Sequence, residues 1–275
     1  MVAYITTETL DGLRLDHALP AGPSRGAPVL FIHGLWGGAW AFENYLRMTA
    51  ERGREAWAIN LRGHHGSRPV RSLADVRFED YVDDVDDALD AIGPAAVVGH
   101  SMGGLIAQVV ASRVDVTAAV FMASVPPPGI PLLTWPLARR ALRYAVDVLR
   151  PRAFRIREAD VKALALNAAP PALQSDLAAR FVADSGRVAR QLAFGEVPAP
   201  QRVRCRTLVV GAGRDRLTPA RLQRRLARHY RADYLESTTH GHMLPVEPGW
   251  REPLARVLAW LDARASVRMP LPASA

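Results

Sequence analysis

Short apolar runs alternate along most of the chain with longer stretches of helical period. Val29-Leu30-Phe31-Ile32, Ala56-Trp57-Ala58-Ile59, Ala95-Ala96-Val97-Val98, Ala118 to Ala123 and Thr207-Leu208-Val209-Val210 carry almost no polar positions. Strands covered on both faces of a parallel sheet read this way. Tyr4 to Thr6 and Leu13 to His17 read as a hairpin turned at Asp11-Gly12, and Tyr234-Leu235 as a last strand. Helices are expected from Trp40 to Arg52, stopped by Gly53, from Tyr81 to Ile92, after Ser101 to about Arg113, and from Pro253 to Leu261. A further helix opens at Thr218-Pro219, with Thr as N-cap and Pro at the first helical position. In the Tyr81 to Ile92 stretch, Val82, Val85, Leu89 and Ile92 share one face, while Asp83, Asp84, Asp86, Asp87 and Asp90 fall mostly off it, as a solvated helix face would. Together these elements predict an α/β fold: a mostly parallel sheet of about eight strands with helices on both faces.

The alternation breaks at Pro126-Pro127-Pro128. From there to about Pro200 the chain keeps helical periodicity and shows no convincing strand, which predicts an inserted helical cap. The expected division is a core built from residues 1–125 and 201–275 and a cap of 126–200. The tail after about Arg264 is expected to fray.

Composition narrows the function classes. At 275 residues and 49% hydrophobic, the chain can bury one large core. No apolar stretch approaches the roughly 20 residues a membrane span needs, so stable membrane insertion is not expected. The first residues have neither the basic start nor the apolar core of a signal peptide, and Cys205 is the only cysteine, so the default is a cytoplasmic protein without internal disulfides. The net charge of +8 suggests nucleic acid at first. However, Lys162 is the sole lysine, and arginine replacing lysine so uniformly reflects composition bias rather than a built patch. There is also no helix-turn-helix, zinc finger or aromatic–basic motif. A nucleic-acid partner is not expected, and oligomeric state is left open.

The candidate chemistry starts at Gly99-His100-Ser101-Met102-Gly103, directly after the Val97-Val98 strand and before Leu105-Ile106-Ala107. A sharp strand-to-helix turn holds such a serine in a strained conformation and lifts its oxygen over the first N–H groups of the helix. Bulky side chains two residues before or after would collide, hence the two glycines. A serine hydroxyl needs a base, and the base an orienting carboxylate. Asp215 follows the Leu208–Val210 strand, and Thr239-His240-Gly241-His242-Met243 follows the last strand, so one of the two histidines is the candidate base. His64 and His65 are adjacent and point apart with no carboxylate cluster, so no metal or other cofactor is expected.

These residues, in the chain order Ser, Asp, His, resemble the α/β-hydrolase fold superfamily in its compact, esterase-like branch with an inserted helical cap. His33-Gly34-Leu35-Trp36-Gly37-Gly38 resembles that family's oxyanion loop. Leu61-Arg62-Gly63-His64-His65-Gly66-Ser67 resembles its Arg-Gly-His-Gly-x-Ser segment with one extra histidine. Gly241-His242 followed by Glu247-Pro248 resembles its Gly-His…Glu-x-Pro ending, the proline arriving one residue early. The resemblance implies Ser101 as nucleophile, Asp215 as the orienting acid and His242 rather than His240 as base. It implies oxyanion donors at the backbone of Met102 and of Leu35, with Trp36 the alternative to Leu35. His33 is expected to tie its loop to backbone, though it also stands near the substrate, and His100 to pack. Serine at the elbow sets the chain apart from dehalogenases and epoxide hydrolases, which resemble it but place an aspartate there.

The cap sequence Ile130-Pro131-Leu132-Leu133-Thr134-Trp135-Pro136-Leu137, with Ala141, Leu142, Ala145, Val146 and Leu149 following, suits either plain packing or an apolar substrate. Trp36, His33 and Trp135 are the candidate substrate contacts, and Trp40 stands near the same entrance. The leading expectation is a carboxylic-ester hydrolase, with a lactone or thioester as the other acyl classes open to it, acting on a small hydrophobic molecule. The alternatives are a carbon–carbon bond hydrolase of the same fold and a non-catalytic hydrolase-like receptor.

Overall fold

A computed structural model describes residues 3–132, 139–140, 142–150, 152–200 and 203–263. At its centre is an eight-stranded sheet. In chain order its first six strands are β1 (Ile5–Leu10), β2 (Leu13–Ala18), β3 (Val29–Ile32), β4 (Ala56–Asn60), β5 (Ala96–His100) and β6 (Ala118–Met122). After an inserted segment that contains two short strands, β7 and β8, come β9 (Arg206–Ala212) and β10 (Asp233–Ser237). The spatial order is β1-β2-β4-β3-β5-β6-β9-β10. The β1–β2 and β2–β4 pairings are antiparallel and the remainder parallel. The hairpin turn is the expected one: Asp11 and Gly12 both take positive φ, +46° and +77°, which matches the twist of the flanking strands. β1, at the sheet edge, is the strand with mostly exposed polar positions.

Alternate residues of each central strand feed two separate cores. Leu30, Ile32, Val97, Phe121 and Val209 pack beneath α2 (Phe78–Ile92) and α3 (Met102–Arg113). Val29, Phe31, Val98, Val120 and Leu208 pack on the opposite face against α1 (Glu43–Glu51) and the helix Arg251–Asp262. Both faces are therefore covered, which is why the sequence shows continuous apolar runs instead of alternation. Phe31 anchors the second core, with the Phe42 ring stacked at 5.1 Å and the Tyr45 ring edge-on at 5.7 Å.

Two local expectations are corrected. The helix expected from Trp40 is a 3-10 turn, Ala39–Phe42, before α1 begins. The acidic face of α2 is not all solvated: Asp84 is fully buried and accepts from Arg62 N and Nε at 2.8 and 2.9 Å and from Arg68 at 3.1 Å. Two arginines make this burial tolerable, and they lock the loop after β4 onto α2.

The segment between β6 and β9 carries α4 (Ala145–Leu149), α5 (Pro171–Ala179) and α6 (Gly186–Phe194). Against expectation it also contains strands. β7 (Ala153–Phe154) pairs antiparallel with β8 (Asp184–Ser185). Two residues per strand are too few to show a period in the sequence, so this ladder is invisible there. The Ser185 hydroxyl caps α6 by accepting from Val188 N at 3.2 Å, and Gly195 ends it at φ +69°. Beyond β9 lie α7 (Ala220–Tyr230) and α8 (Arg251–Asp262).

The chain runs from β3 to β4 on one side, then returns to place β5 on the other side of β3. That reversal opens a crevice at the C-terminal ends of β3 and β5, where ligands bind in open α/β sheets. The loops after both strands meet there.

Candidate active site

The turn between β5 and α3 is the strained one expected. Ser101 sits at φ +57°, ψ −120°, a region non-glycine residues rarely occupy. Its backbone is over-determined: N–H donates to Met122 O, and its carbonyl accepts from Gly104 N and Val125 N, all at 3.0 Å. The flanking glycines are required by close approach. A Cβ on Gly99 would strike the Gly103 carbonyl, and one on Gly103 would strike the carbonyls of Ile32 and His33. Gly34 is constrained by the serine itself, whose Cβ would stand 2.7 Å from a side chain there.

The loops after β9 and β10 bring two more side chains to this serine. His242 Nε2 lies 3.0 Å from Ser101 Oγ, and His242 Nδ1 lies 2.8 Å from Asp215 Oδ2. His242 is 3% exposed and the Asp215 side chain fully buried. A carboxylate cannot donate, so Nδ1 carries the proton and Nε2 presents its lone pair to the hydroxyl. Burial opposes the Asp215 charge, but the facing imidazole and bonds from Thr218 outweigh it and hold the carboxyl below its ordinary range. Asp215 Oδ1 accepts from Leu217 N and Thr218 N at 2.7 and 2.9 Å, and Oδ2 accepts from Thr218 Oγ1 at 2.8 Å. Thr218 is therefore not the N-cap of α7; Pro219 holds that place without a side-chain bond. The threonine was worth more as a second ligand of the acid, and its spacing of three from Asp215 was the available signal.

His240 is in the wrong place to act on Ser101. Its Nδ1 pairs with Ser237 Oγ at 2.6 Å, and its ring occupies the space that a side chain on Gly249 would need. His100 does more than pack. Its Nε2 donates to the His242 carbonyl at 2.7 Å, and burial first, then the nearby His242, depress its pKa to about 3. It is thus a neutral strut beneath His242. Glu247 braces the same loop, accepting Gly241 N at 2.6 Å and Met243 N at 3.2 Å, the amides on either side of His242. This clamp gives the Gly-His…Glu spacing its physical meaning.

The loop after β3 carries the candidate backbone donors. His33 Nε2 accepts from Leu61 N at 3.2 Å, so Nδ1 must carry the proton that goes to Gly34 O at 2.8 Å. Burial keeps this ring neutral, with a pKa of about 3. His33 borders the cavity beside Ser101, but both ring nitrogens are committed to backbone and neither is left for a substrate. The Trp36 N–H is also committed, donating to Asp184 Oδ2 at 2.7 Å. That removes Trp36 as the alternative to Leu35. Among the described residues, the amides of Leu35 and Met102 have no protein partner, and both residues adjoin the serine turn.

A cavity of about 560 Å³ opens above Ser101 and His242. Trp36, Leu105, Pro128, Phe154, Leu164 and Phe181 contribute to a largely apolar wall. Among the described residues, the polar side chains that the inserted segment adds are Arg140 and Tyr144. Both are tied to the buried Asp160, at 2.9 and 2.7 Å. Trp36 stands in the wall as expected; Trp40 does not, packing against Phe181 and beneath Arg180. Trp135 lies outside the described residues.

Comparison with known proteins agrees with this architecture. The sequence profile of the alpha/beta hydrolase family matches residues 29–262. The chain belongs to that family. As an alpha/beta hydrolase it is 31% identical over 121 residues to mouse sn-1-specific diacylglycerol lipase ABHD11, covering 42% of this chain and 38% of that one. It is 33% identical over 107 residues to the probable esterase PIR7A of Oryza sativa subsp. indica, covering 37% and 40%. The matches thus span about two-fifths of each curated relative. Among solved structures, a thermophilic esterase superposes with a TM-score of 0.68 at 19% identity, covering 94% of this chain and 99% of that one. E-2-(acetamidomethylene)succinate hydrolase does so at 0.68 and 18%, covering 95% and 100%. At these identities the superpositions speak for the fold.

Proposed function

We propose that this alpha/beta hydrolase is a serine esterase that cleaves a carboxylic ester of a small, largely hydrophobic molecule through an acyl-enzyme. The observation that carries the reading is the continuous Ser101–His242–Asp215 chain of contacts, 3.0 and 2.8 Å, opening into an apolar cavity. Ser101 Oγ attacks the ester carbonyl as His242 Nε2 takes its proton, and the carbonyl π pair moves onto oxygen as an oxyanion. The N–H groups of Leu35 and Met102 receive that charge, each such donor lowering the barrier by ~3–4 kcal/mol. Collapse expels the alkoxide, which His242 protonates. Water, deprotonated by the same imidazole, then attacks the acyl-enzyme and regenerates Ser101.

In this reading residues 126–200 form a cap whose apolar wall selects the substrate. The arginine and the tyrosine in that wall are both already engaged by Asp160, which also pairs with the exposed Arg143, so neither is left uncommitted for a charged substrate; that supports an uncharged ester over a carboxylate or phosphate. The test is hydrolysis of p-nitrophenyl esters together with labelling by a fluorophosphonate probe. Wild-type protein should do both, and Ser101→Ala neither. A folded wild-type protein inert to both reagents would refute the assignment.

A further inference from the structure

Asp184 is a carboxylate with no exposure to solvent, far in sequence from the serine, acid and base, and it touches the one loop on which the oxyanion reading depends. Four donors converge on it. Oδ2 accepts from Trp36 N at 2.7 Å, and Oδ1 from Tyr81 Oη at 2.6 Å and from its neighbour Ser185 N at 2.7 Å. His64 Nε2 lies 3.1 Å from Oδ2, at ion-pair distance though off the hydrogen-bond line. Only an ionised carboxylate meets four donors with no donor of its own; an amide would turn an NH₂ toward two of them. His64 Nδ1 faces the Arg62 carbonyl at 3.0 Å, so that nitrogen carries a proton, and the Asp184 charge beside Nε2 favours the doubly protonated ring and raises its pKa above the ordinary value against the cost of burial.

The other half of the argument is Trp36. It holds φ +62°, a left-handed conformation that a bulky residue keeps only where its surroundings over-determine it. Three bonds do so, and all come from the inserted segment: N–H to Asp184, carbonyl from Val182 N at 2.9 Å, and Nε1 to Phe154 O at 3.2 Å. The Asp184 bond is the charge-assisted one. It captures the amide immediately after Leu35, and so leaves Leu35 N–H as the uncommitted donor of this turn.

We propose that Asp184, paired with His64, is the positioning residue of the oxyanion hole: it fixes the strained Trp36 turn from the insertion side and so sets the Leu35 N–H against Ser101. This rests on the esterase reading and adds to it that the inserted segment is part of the catalytic apparatus as well as the substrate wall. The experiment compares wild-type protein with Asp184→Asn, using p-nitrophenyl butyrate for turnover and an alkyl trifluoromethyl ketone as probe. The ketone adds to the serine and leaves its oxygen in the hole, so its affinity reads the hole, whereas KM reads the cavity. Asp184→Asn should lower kcat about ten- to a hundredfold, since misplacing a reacting group by an ångström costs that much. KM should stay within about twofold, and ketone affinity should fall by the same factor as kcat. Wild-type kcat and ketone affinity in the folded variant would overturn the proposal, as would a raised KM with ketone binding following KM instead of kcat. Should Asp184→Asn fail to fold, Tyr81→Phe removes one Asp184 donor and keeps the carboxylate. It should give a matched loss of about threefold in kcat and ketone affinity, and no loss in either would again overturn the proposal. A wild-type protein that neither turns over ester nor binds the ketone removes both readings; an active wild type with an unaffected Asp184→Asn removes only this one.

Discussion

Glu247→Gln is the sharpest small perturbation of the base loop. The change keeps volume and shape but replaces one of the two acceptor oxygens with an NH₂. Glu247 is 2% exposed, and its oxygens hold Gly241 N at 2.6 Å and Met243 N at 3.2 Å. Whichever way the amide turns, one backbone N–H then faces a donor and is left without a partner. Losing a hydrogen bond to a charged acceptor costs about 1.5–3 kcal/mol, and orphaning a buried N–H about 1–3 kcal/mol. An opposing term comes from burial, which dominates the upward shift of the Glu247 pKa and shows that its charge is held at a cost the amide does not bear. The net is a destabilisation of roughly 2–4 kcal/mol, or about 5–10 °C in Tm for a chain of this length. The loop therefore loosens at His242, and kcat should fall about tenfold with KM little changed. Thermal melting by circular dichroism and steady-state kinetics on p-nitrophenyl butyrate measure the two effects. Wild-type Tm and kcat in Glu247→Gln would refute the clamp.

Other outcomes follow from the same geometry. His242→Ala should cost at least about a thousandfold in kcat, while His240→Ala, whose ring faces Ser237 and Gly249, should stay within about threefold; the reverse order would reassign the base. Gly103→Ala drives a methyl into the backbone carbonyls of Ile32 and His33 and should abolish cooperative unfolding or soluble expression. His64 has its pKa raised above 6.5 in the fold: burial opposes the proton, but the Asp184 charge and backbone acceptors outweigh it. A raised base contributes stability that is fully present below its unfolded pKa and is lost as pH rises through the folded one. The stability gap between wild type and His64→Gln, from urea titrations, should therefore be constant in mild acid and shrink above neutrality. Leu192→Trp, which fills part of the cavity wall, should raise KM for long-chain p-nitrophenyl esters more than for the acetate.

The sheet and the serine turn were legible because each rests on local rules. Buried strands write themselves as apolar runs, and the glycines at 99 and 103 belong to a recurrent five-residue pattern, although the contacts that force them reach from Gly99 to Gly103 and from Gly103 across to Ile32 and His33. That Asp215 and His242 would meet Ser101 was legible because a parallel sheet puts its loops at the ends of strands. What stayed hidden was tertiary. Thr218 looks like a helix cap until Asp215 claims its hydroxyl. Asp84 sits in an acidic run that should face water, and only the positions of Arg62 and Arg68 make its burial possible. Asp184 precedes an N-capping serine and looks like a turn residue, since nothing local shows that Trp36, Tyr81 and His64 will gather around it. The two-residue β7–β8 ladder that delivers it has no period to read.

The hydrogen bond between Trp36 and Asp184 spans 148 residues of sequence, and that between His242 and Ser101 spans 141. Contacts of such reach are the slowest to be rewarded during folding, because the intervening loop must close first. The serine turn, by contrast, needs only β3, β5 and β6 around it. Under the proposed esterase reading, the serine turn is therefore complete with these strands alone, while His242 and the Asp184-anchored turn reach it only when the late, long-range contacts close, so that hydrolytic competence is a property of the finished molecule.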